Sequence, residues 1–326
     1  MALGQALLGA GVGGILGGEA DEMLIAAVAN AALFVVQLAL GRTGLAMLFV
    51  QAAGAAVPTS IAVVIMHLRS HGNAMVDTIS PSLVVASGIV SLLAGIGVVG
   101  AARDAMDNNV LTATARTFEA LMQTCGIVLG VVFTLWVGIK LGVPGYITPT
   151  AGWATPSAWM LLWAGLVSVG AGLGLQVGLR ALPACAALGV IGYGLFMASQ
   201  PVLGGMVGAT AFGALAVGFL GQLVSGRLRI PLIALVTVGV VAMMPGSALY
   251  RGLYEAMSEV NEPLSSTAQV NLGQAAAVAL ALAAGSTLGS QLARPLGLPT
   301  ARLFRLATLR SVSRSLRRLP FGADSG

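Results

Sequence analysis

Charged side chains are scarce in this chain of 326 residues. Only 8% of its residues are Asp, Glu, Lys or Arg, whereas a soluble globular domain carries roughly a quarter. Because a soluble protein needs polar side chains to cover its surface, this scarcity excludes an ordinary water-soluble fold. Cysteine is scarcer still: Cys125 and Cys185 both lie in apolar runs. This usage excludes a disulfide framework and a cysteine-based metal site.

The motifs of common enzymes are also lacking. The sequence has no Walker loop and no recognisable nucleophile–base or zinc constellation, so an enzyme, an ATP-driven pump and a bound cofactor are not expected. His67 and His71 have the i, i+4 spacing of a shared metal site, but no third ligand lies near them in sequence. The alternative for His67 is a proton relay.

Hydrophobic residues are abundant: they make up 57% of the chain, and its mean hydropathy is +0.94. The apolar runs approach the roughly 20 residues that cross a bilayer as a helix, and they do not alternate as barrel strands do. The 45 glycines suit close helix–helix contacts in membranes. The sequence predicts an all-α polytopic transmembrane helix bundle of about ten spans. They are 2–18, 22–40, 45–67, 82–102, 118–140, 158–179, 182–199, 203–225, 231–250 and 268–292.

Basic residues predict the orientation of this bundle, because cytoplasmic loops carry an excess of Lys and Arg. With both termini placed inside, thirteen of the 16 basic residues are cytoplasmic and three are outside. The three are Arg69, Lys140 and Arg251. The thirteen are Arg42, Arg103, Arg116, Arg180, Arg227, Arg229, Arg294, Arg302, Arg305, Arg310, Arg314, Arg317 and Arg318. We therefore expect a multi-pass protein of the cell (inner) membrane with both termini in the cytoplasm.

The C-terminal tail places its arginines among Leu, Phe and Val residues, as a basic amphipathic helix does. We interpret it as an anchor on anionic lipid headgroups. Nucleic-acid binding is the alternative, but no aromatic platform accompanies the arginines. The basic tail therefore predicts a lipid partner and no nucleic acid.

A repeat with an offset of 151 residues relates the fourth and ninth spans. It superposes Gly95 on Gly246, Asp104 on Glu255, and Met106 on Met257. Since five spans is an odd number, the second set enters the membrane with the opposite orientation, as in the inverted repeats of secondary transporters. Chance similarity between glycine-rich helices is the alternative. The predicted domains are two five-helix modules (1–142 and 158–293), an extracytoplasmic connection (143–157) and a cytoplasmic tail (294–326).

Four sequence stretches resemble the threonine/serine exporter family. They are AGIGVVGAARDAM (94–106), TATARTFE (112–119), RIP (229–231) and MPGSALYRGL (244–253). The resemblance implies a secondary transporter that exports threonine, serine or similar small solutes, driven by protons, with ten membrane helices in two five-helix halves. Family members usually carry a soluble region before the first span, whereas this sequence opens on a membrane segment. If that region takes part in gating, we expect transport to require it as well.

Ionisable groups at the membrane edge are candidates for function. Asp104 could bind a substrate ammonium group or take up a coupling proton, although a solvated loop is the alternative. The Pro-Gly pair breaks the ninth span and exposes backbone groups that can bind an amino acid, or it is only a packing kink. The candidates for substrate binding and proton coupling are Asp104, Arg116, Glu119, Pro245, Gly246, Tyr250, Arg251 and Glu255.

The leading function has one competitor, a membrane scaffold or assembly subunit that transports nothing. A sealed bundle without a polar cavity would favour the scaffold. The expected partners of the exporter are a small amino acid, protons and the lipid bilayer. A homo-oligomer is compatible with the sequence, which does not fix the number of subunits.

Overall fold

A computed structural model describes the fold as a bundle of α-helices. The described residues are 1–72, 76–92, 100–101, 104–106, 108–143, 157–244, 248, 251–252, 255 and 266–296. No β-strand occurs among them. The helices are α1 (Ala2–Ile15), α2 (Ala20–Gly41), α3 (Met47–Ser70), α4 (Pro81–Leu92), α5 (Val110–Lys140), α6 (Trp159–Gly174), α7 (Leu182–Leu203), α8 (Met206–Leu228), α9 (Leu232–Val240) and α10 (Ser266–Ala293).

Helix length divides these elements into two groups. Six are long and apolar enough to cross a membrane: α2, α3, α5, α7, α8 and α10. The other four (α1, α4, α6, and α9 with the 3-10 turn that continues it to Met243) are shorter apolar helices. The all-helical prediction is thus confirmed, and six of the predicted spans are helices of sufficient length. The count of about ten spans stays a prediction.

One predicted boundary is wrong in a way that matters for the site. The described part of the fourth helix runs to Leu92, and residues 93–99 of the predicted span 82–102 lie outside the described residues. The fifth begins at Val110, eight residues before the predicted start at 118. Arg116 and Glu119 therefore lie within the first three turns of α5 and not at the edge of a loop.

The four short helices form the centre of the bundle, where α1 contacts α4 and α6, and α6 contacts α9. The helices α1 and α6 are antiparallel, since Gly4 lies against Gly170 and Gly14 lies against Trp163. A Cβ atom on Gly4 would lie 2.8 Å from the Gly170 carbonyl oxygen, and one on Gly170 would lie 2.6 Å from the Gly4 oxygen. The absence of side chains thus lets the two backbones touch.

The pairs of helices that pack against each other in α1–α5 recur in α6–α10. The contacts α1–α2, α2–α3, α3–α5, α1–α4, α2–α4 and α3–α4 have the counterparts α6–α7, α7–α8, α8–α10, α6–α9, α7–α9 and α8–α9. The α3–α5 and α8–α10 contacts also share one packing feature. In each, two glycines one turn apart lie against backbone carbonyl groups of the partner helix. These contacts are Gly126 on Leu48, Gly130 on Ala52, Gly285 on Ala211, and Gly289 on Leu215.

A buried carboxylate fixes the beginning of α4. Glu22 is only 6% exposed and belongs to a capping box with Glu19 at the start of α2. Its Oε2 accepts a hydrogen bond from the Glu19 backbone N–H (3.0 Å) and its Oε1 accepts one from the Ser80 N–H (2.6 Å). Because Ser80 directly precedes α4, this carboxylate ties the start of α4 to the start of α2.

Replacing Glu22 by alanine is expected to destabilise the protein by about 2 kcal/mol, because it leaves two backbone N–H groups without their acceptor. The melting temperature of the purified protein in detergent measures this loss. Asp21→Ala is the matched control, since the neighbouring carboxylate is exposed. Equal melting temperatures for the two variants would show that the Ser80 contact does not hold α4.

Candidate functional site

A cavity of about 870 Å³ lies between the two sets of five helices. Its walls include residues of α2, α3, α4 and α5 on one side and of α9 and α10 on the other. Sites for small ligands typically have volumes of roughly 300–1,000 Å³, so a small amino acid fits with room for water. The scaffold alternative predicted a sealed bundle without a polar cavity, whereas the described residues enclose a cavity with polar side chains in its wall.

One wall of the cavity is charged, and α5 supplies it. Arg116, Glu119 and Gln123 all line the cavity, because their spacing of three and four residues puts them on one helix face. The Gln123 side-chain amide donates to Glu119 Oε1 at 3.2 Å. This wall therefore presents a guanidinium and a carboxylate one helical turn apart.

Asp104 pairs with the guanidinium of this wall. Its Oδ2 lies 3.0 Å from Arg116 Nη1, and the two side chains are 18% and 41% exposed, respectively. The contact is ionic only, since Asp104 Oδ2 is buried and has no hydrogen-bond partner of good geometry. Gly100 leaves room for the arginine: a Cβ there would lie 3.0 Å from Arg116 Nη1. Asp104 itself does not line the cavity but contacts Arg116, which does.

An amide pair stands beside the charged wall, where α2 meets α3. Gln37 Nε2 donates to Gln51 Oε1 at 3.0 Å, and both residues line the cavity. Gln51 is only 4% exposed. Neither glutamine is among the site residues predicted from the sequence, which were chosen as ionisable groups or as parts of the segment around the Pro-Gly break. The signal was present, since a polar side chain inside an apolar span is itself unusual.

The opposite wall is mostly apolar and belongs to α9 and its end. Ile233, Val236, Val240 and Met244 line it, and Thr237 supplies a hydroxyl. The end of α4 reaches the same cavity through Ser91 and Leu92. Described residues of α4 and of α9 therefore line the same cavity.

The offset of 151 residues also relates the beginnings of α4 and α9. Pro81 and Leu232 begin these two helices and are 151 residues apart. At the same offset Gly100 corresponds to Arg251 and Asp104 to Glu255, and all four positions are helical. The Asn271 side-chain amide of α10 donates to Glu255 Oε2 at 2.9 Å. Each acidic residue thus contacts a polar side chain near the start of the next long helix.

The structure brings only some of the predicted site residues together. Arg116 and Glu119 line the cavity and Asp104 contacts Arg116, whereas Arg251 and Glu255 are not part of the cavity wall. Pro245, Gly246 and Tyr250 lie outside the described residues.

The two histidines at the end of α3 contact each other, with ring centroids 4.4 Å apart. The Nδ1 atom of His71 lies 2.9 Å from the His67 carbonyl oxygen, so this ring interacts with the end of the helix. Among the described residues no group of three His, Cys, Asp or Glu side chains could hold a metal ion.

Comparison with known proteins gives a consistent result for both halves of the chain. Residues 1–138 match the family model described as "Putative threonine/serine exporter", and residues 142–292 match "Threonine/Serine exporter, ThrE". No solved structure matches.

Two curated relatives are 32% identical to this chain. The "Threonine/serine exporter" of Corynebacterium glutamicum aligns over 91% of the chain, and the "Probable threonine/serine exporter" of Mycobacterium tuberculosis aligns over 97%. Both alignments cover 60% of the relative, so the chain spans less than two thirds of the length of these proteins. Both relatives are named as exporters and not as enzymes. The chain belongs to the threonine/serine exporter family.

Proposed function

We propose that this protein is a secondary transporter of the cell membrane that exports threonine, serine or similar small amino acids in exchange for protons. The observation that supports this proposal best is the cavity between the two sets of five helices, with a guanidinium and a carboxylate on one wall. An amino acid at neutral pH is a zwitterion, and such a wall complements both of its charges.

In this proposal Arg116 binds the substrate carboxylate, since a guanidinium forms two parallel hydrogen bonds with a carboxylate. Asp104, which contacts Arg116 but does not line the cavity, is the proposed site of the coupling proton. Glu119 adds negative charge one turn further along α5 and favours the ammonium group. Arg251 and Glu255, with Pro245, Gly246 and Tyr250, are the proposed counterparts in the second half.

The proposed architecture is a pair of inverted five-helix repeats with ten spans, comprising residues 1–142 and 158–293. The antiparallel α1–α6 contact, the recurring helix pairs and the shared offset of α4 and α9 support it. In an inverted repeat the substrate site lies between the halves near interrupted helices, where the cavity is found. The connection 143–157 is then outside, and both termini and the tail 294–326 are cytoplasmic.

Replacing Asp104 by asparagine is expected to reduce export of labelled threonine from loaded vesicles by about tenfold or more, because a charge-assisted contact is lost. The remaining export should no longer respond to a pH gradient across the membrane. Initial rates with and without an imposed gradient measure both effects.

Asp77→Asn is the control, because this carboxylate is exposed in the loop before α4 and does not line the cavity. Wild-type export that ignores the gradient, with Asp104→Asn unchanged, would refute proton coupling. A wild-type protein that exports no amino acid under any gradient would refute the function as a whole.

A further inference from the structure

We propose that the Gln37–Gln51 pair is the subsite that recognises the hydroxyl group of the substrate side chain. This inference rests on the proposed function, and it adds a reason why the cargo would be a hydroxy amino acid. The charged wall binds the groups that every amino acid shares. It therefore cannot distinguish threonine from the analogue that lacks only the hydroxyl.

The two amides are placed where a substrate side chain can reach them. Both glutamines line the cavity that also contains Arg116 and Glu119. Gln51 is almost completely buried in the protein, at 4% exposure, so its amide is shielded from lipid and faces the cavity edge. A polar side chain in such a position is costly unless it is paired.

The pair leaves part of its hydrogen-bonding capacity unused. The described residues give these two side chains one hydrogen bond, from Gln37 Nε2 to Gln51 Oε1. A primary amide carries one carbonyl acceptor and two N–H donors. One carbonyl oxygen and three N–H groups of the pair are therefore available to a ligand, whichever way the two amides are flipped. A hydroxyl group can donate one hydrogen bond to the carbonyl oxygen and accept one from an N–H group.

Two glycines hold the pair in position relative to the charged wall. A Cβ on Gly126 of α5 would lie 3.1 Å from Gln51 Cβ, so α5 packs directly against this part of α3. Gly54 leaves space for Gln37: a Cβ there would lie 3.2 Å from Gln37 Cγ and 3.3 Å from its Nε2. The amides are thus fixed relative to the helix that carries Arg116, as a specificity subsite requires.

A buried hydrogen bond between α6 and α9 provides a comparison, because it has only a structural role. The Ser168 hydroxyl of α6 donates to the Val238 carbonyl of α9 at 3.1 Å. Ser168 is fully buried, does not line the cavity and has no donor left over, since its single O–H is used. The glutamine pair differs from it in both its location and its unused donors.

The test uses the purified 326-residue chain and compares threonine with 2-aminobutyrate, which is threonine without its hydroxyl. We expect the wild type to bind threonine about tenfold more tightly, the typical value of one net hydrogen bond. Gln51→Leu is expected to abolish this preference while 2-aminobutyrate still binds. Gln37→Leu should do the same, and it remains informative if Gln51→Leu does not fold. Isothermal calorimetry and stabilisation of the melting temperature by each ligand measure the affinities.

Ser168→Ala is the matched control, and it should lower the melting temperature without changing the preference for threonine. A wild type that binds both amino acids equally, or Gln37→Leu and Gln51→Leu variants that keep the tenfold preference, would overturn the assignment while leaving the export function intact. A wild type that binds neither amino acid would instead refute the proposed function of the cavity.

Discussion

Arg116→Glu is expected to abolish threonine export. The substitution removes the proposed partner of the substrate carboxylate and replaces it by a negative group beside Asp104, which now lies 3.0 Å from the guanidinium. A hydrogen bond to a charged group contributes roughly 1.5–3 kcal/mol of binding free energy, and 2 kcal/mol corresponds to about 30-fold in affinity. Charge reversal adds repulsion to that loss, so the rate should fall to that of vesicles without protein.

Export of labelled threonine from loaded proteoliposomes measures the effect, with protein content matched by immunoblot. The control is Arg42→Glu, which makes the same change at the exposed end of α2. In Arg116→Glu, the further change Asp104→Arg restores one positive and one negative group, and partial recovery would establish that the two positions act as a pair. Unimpaired export by Arg116→Glu alone would remove Arg116 from the mechanism.

Gly170→Val is expected to destabilise the protein by about 3 kcal/mol, at the upper end of what overpacking typically costs. The atoms nearest to a Cβ at this position are the Gly4 oxygen and the Leu8 nitrogen, both at 2.6 Å. They belong to the backbone, so no side chain can rotate away to relieve the overlap. The α1–α6 contact, which joins the two sets of five helices, would have to open.

The melting temperature in detergent should fall by about 4 °C for such a loss, since the unfolding entropy of a chain of this length is roughly 0.7 kcal/mol/K. Gly178→Val is the matched control, because no atom lies within 4 Å of a Cβ there and its φ is −54°. If Gly170→Val melts at the temperature of the control, α1 and α6 do not pack as closely as described.

The helices themselves could be predicted from the sequence because long apolar runs leave the backbone no other way to satisfy its hydrogen bonds in lipid. The start of α5 shows where that reasoning ends. Residues 110–117 contain threonines and Arg116, which lower the local hydropathy and hide the first two turns. A helix can extend beyond its hydrophobic segment. Arg116 and Glu119, which were expected at the edge of a loop, therefore lie on α5.

The site could be predicted only in part, and its residues explain why. Asp104 and Arg116 were identified singly as rare ionisable groups, and they are only twelve positions apart in sequence. The contact between Gln37 and Gln51 depends on how α2 packs against α3, and the cavity exists only because α9 faces α5 across it. Such long-range packing leaves no local signature in composition or periodicity.

The short central helices also bear on how the membrane voltage acts. At 1.5 Å per residue, the 12 to 16 residues of α1, α6 and the α9 segment extend about 18–24 Å, less than the roughly 30 Å of hydrocarbon. Where water fills the cavity between them, the insulating layer is thinner and the electric field is stronger. One charge crossing the whole potential is worth about 2.3 kcal/mol per 100 mV. A zwitterionic cargo has no net charge, so in the proposed exchange the membrane voltage would act on the proton and not on the amino acid.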